Sequence, residues 1–566
     1  MEKVHDKMHK SPLMVITWLV LTVGAAILLD GRLFVLFGLS TSLVVKVLIG
    51  YVIFWMHVVW FYGAYHLVSV AFSLAILAHR RKPEAVQKAS VGQQDKVAVL
   101  YTTMNDFCLE AAASCLHQQY ENFHVYLLDD STLTEERAKV DQFHAAHPER
   151  TTVVRRKDRQ GYKAGNINHA LCHAAGDCTY FAVVDADEII PPHFLEACVG
   201  ELATDEHLGF VQANHAYWHP DDSPFAKDLS AGVDLHWKLF LTARNRYGFV
   251  LFYGHGAVLR KRVWDEIGGF PEMVSEDIAF ATKARERGYY GKFLPDVVAR
   301  EAFPRTYRQF QRREAKITKG TLEFALACLP SFLRARDVSW TEKFDLVATN
   351  MMLFLSLPFV LFLVMANVIL PSILAIQATA GEAGLLSLEW LRIIQPLDTG
   401  LTALWSWDFY LITLLAILAP LAYQLPRFVT NPVRILRYVA QATTVYLSLC
   451  PTLCVAIGSF LRRRRVEFVS TGDRSASQKR EGLPSFALIL SILLTVFAIV
   501  IHHVALLTVS LSFLFVFILG SVGWTRRAVR VAAAVPILFF AIVFIATPWL
   551  LVGLSGFTVA VVPHHH

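Results

Sequence analysis

The sequence predicts a soluble α/β domain inserted between two groups of membrane-spanning helices. Three observations lead there. The 566-residue chain is 54% hydrophobic and only 18% charged, against about 45–50% and about 25% in ordinary soluble domains. The apolar excess is gathered into long runs towards both ends. Between them, from about 95 to 330, short apolar strands alternate with polar, helix-like stretches and no run reaches spanning length.

At the N-terminal side, residues 13–29 and roughly 47–77 are apolar enough to span, with Asp30, Arg32 and Lys46 read as the loop between them. His79-Arg80-Arg81-Lys82 follows, a basic flank that assigns the next segment to the cytoplasm. The formal charge, 53 − 47 = +6, fits cytoplasmic loop residues and gives no reason to invoke nucleic acid. The eight cysteines form no CxxC pair, so neither a zinc site nor a disulfide framework is read from them.

In the middle region the strands Val97–Tyr101, Val125–Leu128 and Tyr180–Val184 are predicted. After 345 the spans are 346–370, 408–424, 485–501, 504–522 and 532–552. The stretch 436–460 lies between Arg434 and Arg437 on one side and Arg462 to Arg465 on the other. Basic residues at both ends suit a helix near the cytoplasmic surface or a re-entrant one, with an ordinary span as the alternative.

The chemistry-bearing residues sit in the middle region. Asp185-Ala186-Asp187 directly follows a strand, and alternate carboxylates there point at the mouth of an α/β sheet, where ligands bind. Such oxygens suit Mg²⁺ or Mn²⁺ held together with a diphosphate. Asp129-Asp130 ends another strand, and Thr103 to Asp106 a third. Lys163 stands in a glycine-containing turn ahead of a helix predicted over Asn168–Ala175, an arrangement suited to phosphate. Ser275-Glu276-Asp277 begins another helix, with Ser275 as N-cap.

In order, these segments resemble the family 2 glycosyltransferases, above all the membrane synthases of cellulose, chitin, hyaluronan and related β-linked polysaccharides. Thr103-Met104-Asn105-Asp106 looks like T-Y-N-E, Lys163 to Asn168 like K-A-G-N-L-N, and Asp185-Ala186-Asp187 like the D-x-D. Tyr253 to Arg260 resembles the G-x-x-A-V-L-R loop, followed by Ile267-Gly268-Gly269-Phe270, and Ser275-Glu276-Asp277 resembles T-E-D. The resemblance implies a GT-A-like fold over 91–305, two helices in 1–90, interfacial helices in 306–345 and a C-terminal membrane region in 346–566. It implies a nucleotide-sugar donor, a UDP-sugar first, bound by Thr103, Asp106, Asp130, Lys163, Asp185, Asp187, Arg313 and Lys316. Asp187 would hold Mg²⁺ or Mn²⁺, Asp277 beside Glu276 would be the base, and Gly254, His255 and Gly256 would face the acceptor. The protein would be a multi-pass protein of the plasma (inner) membrane with a cytoplasmic catalytic domain, inverting the anomeric centre to make a β-linkage.

One departure bears on the product. The family's Q-x-x-R-W has no tryptophan here. Aligned on Gly320, Arg313 stands at the glutamine, Lys316 at the arginine and Ile317 at the tryptophan; aligned on Gln309, the segment reads Q-x-x-R with Arg313 in the tryptophan place. An isoleucine is a poor substitute for an aromatic face under a sugar ring. Tyr307, Phe310 and Trp218 are candidate replacements. Val466 to Asp473 partly matches a cytoplasmic gating loop, 466–482, through Phe468 and Thr471. Asn350, Trp405 and Trp407 are candidate lining residues of a translocation path. Polymerisation with secretion is the preferred expectation; single transfer to a lipid acceptor, and a transporter or receptor with a degenerate domain, remain alternatives.

Overall fold

The computed structural model describes residues 10–38, 43–79, 95–218, 223–355, 431–463 and 485–500, with short pieces between 411 and 424 and between 507 and 514. Its chain divides into two compact units. One comprises the described residues of 1–18, 67–354 and 452–481; the other comprises those of 19–66, 355–451 and 482–566.

The first unit is built on an eight-stranded sheet. Its strands are β1 Val97–Thr103, β2 Phe123–Asp129, β3 Thr151–Val154, β4 Tyr180–Asp185, β5 Glu188–Ile189, β6 Leu208–Trp218, β7 Ala257–Arg260 and β8 Tyr290–Ala302. They lie in the order β3-β2-β1-β4-β7-β6-β8-β5. The pairs β3-β2, β2-β1, β1-β4 and β6-β8 are parallel, whereas β7 runs antiparallel to both β4 and β6, and β5 antiparallel to β8.

The strands read as nearly unbroken apolar runs because both sheet faces are covered. Val97, Val99 and Tyr101 pack into one layer with residues of the helices Leu109–Leu116, Thr134–Ala146 and Phe194–Thr204. Ala98 and Leu100 pack into the other with residues of Tyr162–His173, Val233–Tyr247 and Glu276–Glu286. The parallel strands therefore end together, and the ends of β1, β2 and β4 bring Thr103, Asp129 and Asp185 into neighbouring registers.

One helix boundary and one cap differ from expectation. The helix predicted over Asn168–Ala175 starts at Tyr162, so Lys163 lies in its first turn. Gly161 precedes it at φ 73°, a left-handed conformation that glycine adopts without a Cβ penalty. Ser275 does occupy the N-cap of Glu276–Glu286, but its side chain makes no capping hydrogen bond.

The segment 306–354 continues the first unit. The helix Tyr307–Ala327 buries Phe310, Thr318, Thr321 and Phe324. The helix Trp340–Met351 opens with a capping box in which Ser339 and Glu342 satisfy each other's backbone amides. Glu342 also takes a two-pronged ion pair from Arg285, at 2.9 and 3.0 Å, with both side chains buried.

In the second unit and the helices leading to it, Leu13–Gly38 and Lys46 to His79 carry the two apolar stretches predicted at the N-terminal side. These are two helices long and apolar enough to cross a membrane. Asp30, Arg32 and Lys46 are helical and not loop residues. Asp30 instead faces His57 at 3.0 Å. A Cβ on Gly63 would lie 2.5 Å from the Ala416 backbone, the close approach that small residues permit between apolar helices. One continuous helix, Pro432–Arg463, covers 436–460 and runs through Pro451 without the break a re-entrant segment requires. Ser485–Val500 is helical as predicted. Most of 346–370 and the spans 504–522 and 532–552 fall outside the described residues, as do Trp405, Trp407, Phe468 and Thr471.

Candidate active site

A cavity of about 600 Å³ opens at the strand ends of the first unit, within the range of small-molecule sites. It collects Thr103, Asp106, Asp130, Lys163, Asp185, Asp187, Gly254, His255, Glu276, Asp277, Arg313 and Lys316. These residues span more than 200 positions of the chain. Among the described residues of this unit, Gly256 is the one predicted site residue absent from the lining.

Asp185, the last residue of β4, accepts from Thr102 Oγ1 at 2.9 Å and forms an ion pair with Lys163. Burial opposes its charge, but Lys163 and then His255 prevail and hold it at about 2. Lys163 itself loses charge stability through burial, yet Asp185 and Glu276 more than offset this and its pKa is raised. Its ammonium also donates to the Gly254 carbonyl at 2.9 Å.

Asp187 has a different environment. Its side chain is exposed and lines the cavity. Partial desolvation by the cavity walls, followed by repulsion from Asp185 and Glu301, pushes it up to about 7. A divalent cation would relieve this crowding, and carboxylate oxygens suit Mg²⁺ or Mn²⁺. The residues present therefore fit such an ion.

Glu188, His215 and His255 form a second cluster, whose ligand-type atoms lie within 4.8 Å of one another. Gln212 lies against it. Its Oε1 accepts from Tyr253 N at 3.1 Å, and its Nε2 donates to the carbonyls of His255 and Gly256 at 2.9 and 3.1 Å. That amide nitrogen also lies 2.9 Å from His215 Nε2, and His215 Nδ1 faces Glu188. Glu188 and Glu301 are register partners across β5 and β8. His255 lies between them, with Nδ1 3.3 Å from Glu188 and Nε2 3.3 Å from Glu301. Burial works against its charge, but Glu188 and Asp185 raise its pKa to about 10. The result is an imidazolium bridging two carboxylates that would otherwise repel. Gly256, at φ 59°, belongs to this arrangement: a Cβ there would meet Glu188 at 2.4 Å.

Asp130 and Asp106 are engaged by the protein. Asp130 takes both arms of Arg156, at 2.6 and 3.0 Å. Asp106 accepts from Thr103 Oγ1 and from Met104 N at 2.9 and 2.7 Å. Both still line the cavity.

On its far wall Glu276 and Asp277 open the helix Glu276–Glu286. Burial and the neighbouring Asp277 push Glu276 up to about 8, against the pull of Lys163. Burial also raises Asp277, partly opposed by its bond from Ile278 N at 2.8 Å. A carboxylate with a raised pKa is suited to taking a proton near neutral pH. Gly254 packs beside it: a Cβ there would lie 3.5 Å from Asp277 Oδ2. Arg313 and Lys316, from the helix Tyr307–Ala327, also line the cavity, as do Arg159 and Arg244, and burial lowers the Lys316 pKa.

The proposed aromatic replacements do not enter the cavity. Tyr307 and Phe310 are buried against Phe225, and Trp218 is likewise absent from the lining. Ile317 does line it, as do Trp237, Phe240 and Tyr253. Sequence reasoning also missed Glu188, His215 and Glu301.

A family model described as "Glycosyl transferase family group 2" matches residues 180–461. The chain is similar to the cellulose synthase 1 catalytic subunit [UDP-forming] of Komagataeibacter xylinus, with 29% identity over 31% of this chain and 23% of the relative. It is also similar to a probable glucomannan 4-beta-mannosyltransferase 7 of Oryza sativa subsp. japonica, with 26% identity over 43% of each. The chain thus spans less than half the length of these curated relatives. Among solved structures, a mannosyltransferase from Pyrobaculum calidifontis in complex with GDP-Man and Mn²⁺ aligns at 19% identity and a TM-score of 0.39, covering 64% of this chain and 99% of that one. That likeness is too loose to bear on function. The family match together with the mixed sheet and its strand-end carboxylates identifies the chain as an enzyme carrying a glycosyltransferase family 2 domain.

Proposed function

We propose that this enzyme transfers a hexose from a UDP-sugar to the end of a β-linked glycan, with inversion at the anomeric carbon, and passes the product to its membrane region. The observation that carries this reading is one cavity shared by Asp185 and Asp187, by Asp277, and by Asn350 at the head of the apolar stretch 346–370.

Sugar hydroxyls are poor nucleophiles. Asp277, with its raised pKa, accepts the acceptor's proton as the new bond forms. The leaving diphosphate gains charge, and Lys163, Arg313 and Lys316 are among the cations on the cavity wall to receive it. A divalent ion held by Asp187 would add Lewis-acid stabilisation of that diphosphate. The Lys163 bonds to Asp185 and to the Gly254 carbonyl keep the donor side and the base side in fixed relation. The two apolar helices and the basic run 79–82 support a membrane protein with this unit in the cytoplasm.

A second reading, single transfer to a lipid acceptor, has Ile317 in its favour, since it stands where the processive relatives carry tryptophan. Offering purified enzyme a panel of nucleotide sugars with Mg²⁺ or Mn²⁺, then measuring product mass and linkage, separates the two. A ladder of β-linked products is expected from a UDP-sugar. A single addition to lipid would replace the first reading with the second, and no turnover of any donor would overturn both.

A further inference from the structure

The helix Val233–Tyr247 turns one face to the cavity through His236, Trp237, Phe240 and Arg244. Trp237 is half-buried and braced edge-on by Tyr253, with centroids 4.4 Å apart at 86°. Tyr253 is followed by Gly254, which packs beside Asp277. An aromatic ring therefore lines the same cavity as the group that must touch the acceptor hydroxyl. Seven residues on, about 10 Å of helix, Arg244 donates to Thr349 at 2.6 Å, and Asn350 adjoins it in the lining.

The charge on this wall is already balanced. Arg244 pairs at 3.1 Å with Asp345, which is fully buried, and lies over the Phe240 ring at 4.4 Å. His236 stacks on Phe240 at 5.6 Å. Aromatic faces with a neutral hydroxyl and amide match the apolar face and hydroxyl rim of a sugar ring. A phosphate would seek an uncompensated cation there.

We propose that Trp237 is the platform on which the reacting pyranose of the acceptor stacks, so that the acceptor end is an uncharged sugar and not a bare lipid phosphate. This rests on the glycosyl-transfer reading above and assigns the acceptor's class. The platform role falls to the helix Val233–Tyr247, leaving Ile317 without it.

The test uses the full chain in lipid nanodiscs, with the donor that the panel identifies and two acceptors, a neutral β-linked oligosaccharide and a polyprenyl phosphate. Trp237→Ala is expected to raise the oligosaccharide KM about tenfold, and Trp237→Phe to recover most of that loss. Nucleotide affinity, read by calorimetry, is expected to stay at the parental value in both variants, and polyprenyl phosphate is expected to give no product. An unchanged oligosaccharide KM in Trp237→Ala would overturn the platform. So would equal loss of nucleotide affinity in both variants, or efficient use of polyprenyl phosphate by parent and variant alike. In each of these cases the parent enzyme still turns over its donor, so the glycosyl-transfer reading survives; it fails separately if the parent turns over none.

Discussion

Two carboxylate pairs face one cavity, and their surroundings give them different charge states. In Asp185 and Asp187, separated by one residue, Lys163 holds the first at about 2 while Asp185 and Glu301 help drive the second to about 7. In Glu276 and Asp277, adjacent at a helix start, burial raises both and Lys163 only moderates the effect. The strand-end pair thus offers one firmly ionised oxygen set and one that a cation would ionise. The helix-start pair retains a proton at pH values where an ordinary carboxylate has lost it, so one member can take a proton during reaction. The nearest cation, and not position in the chain, assigns these roles.

The sharpest break in that comparison is Asp277→Asn. It is expected to lower kcat by about 10²- to 10⁴-fold while nucleotide affinity stays parental; a comparable fall in nucleotide binding would move Asp277 to the donor side. Next in size is Asp187→Asn, expected to weaken Mn²⁺-dependent nucleotide binding on the order of 10²-fold, with excess chelator stopping turnover of the parent. Full activity in chelator would remove the cation from Asp187. Smallest is Glu276→Gln. The base acts when deprotonated, so the rate rises with pH through the raised pKa of the pair. Removing the neighbouring charge lowers the Asp277 pKa, and the acid limb of the kcat profile is expected to move down by about one pH unit. A limb that stays in place would mean that the two carboxylates titrate independently.

These pairs were legible in the sequence for a physical reason. Asp185 ends an apolar strand run and Asp277 starts a polar helical one, so local pattern alone puts both at element ends, where side chains reach a cleft. The partners were not legible. Arg156 meets Asp130 across 26 residues, and Glu188 meets Glu301 only because β5 and β8 pair in that register. Trp237 has the helical spacing of an ordinary packing residue, and nothing local marks it as facing a cavity. Tyr307 and Phe310 show the converse error: their closeness to the altered motif made them attractive, but the helix turns them into the core beside Phe225. The helix start at Tyr162 was missed because its entry turn depends on two left-handed residues, Gly161 and Tyr162, and the second is a residue type that seldom adopts that conformation.

The ion pair between Arg285 and Glu342 acts as a strut. Asp277 stands in the first turn of a rod whose last turn carries Arg285. Glu342 stands in the first turn of a second rod that carries Thr349 and Asn350 towards its end. Separating a buried pair of this kind costs about 3–5 kcal/mol, many times thermal energy. The two rods are therefore pinned to each other at the far end of the helix that Asp277 opens, and losing either partner of the pin would leave a buried charge uncompensated.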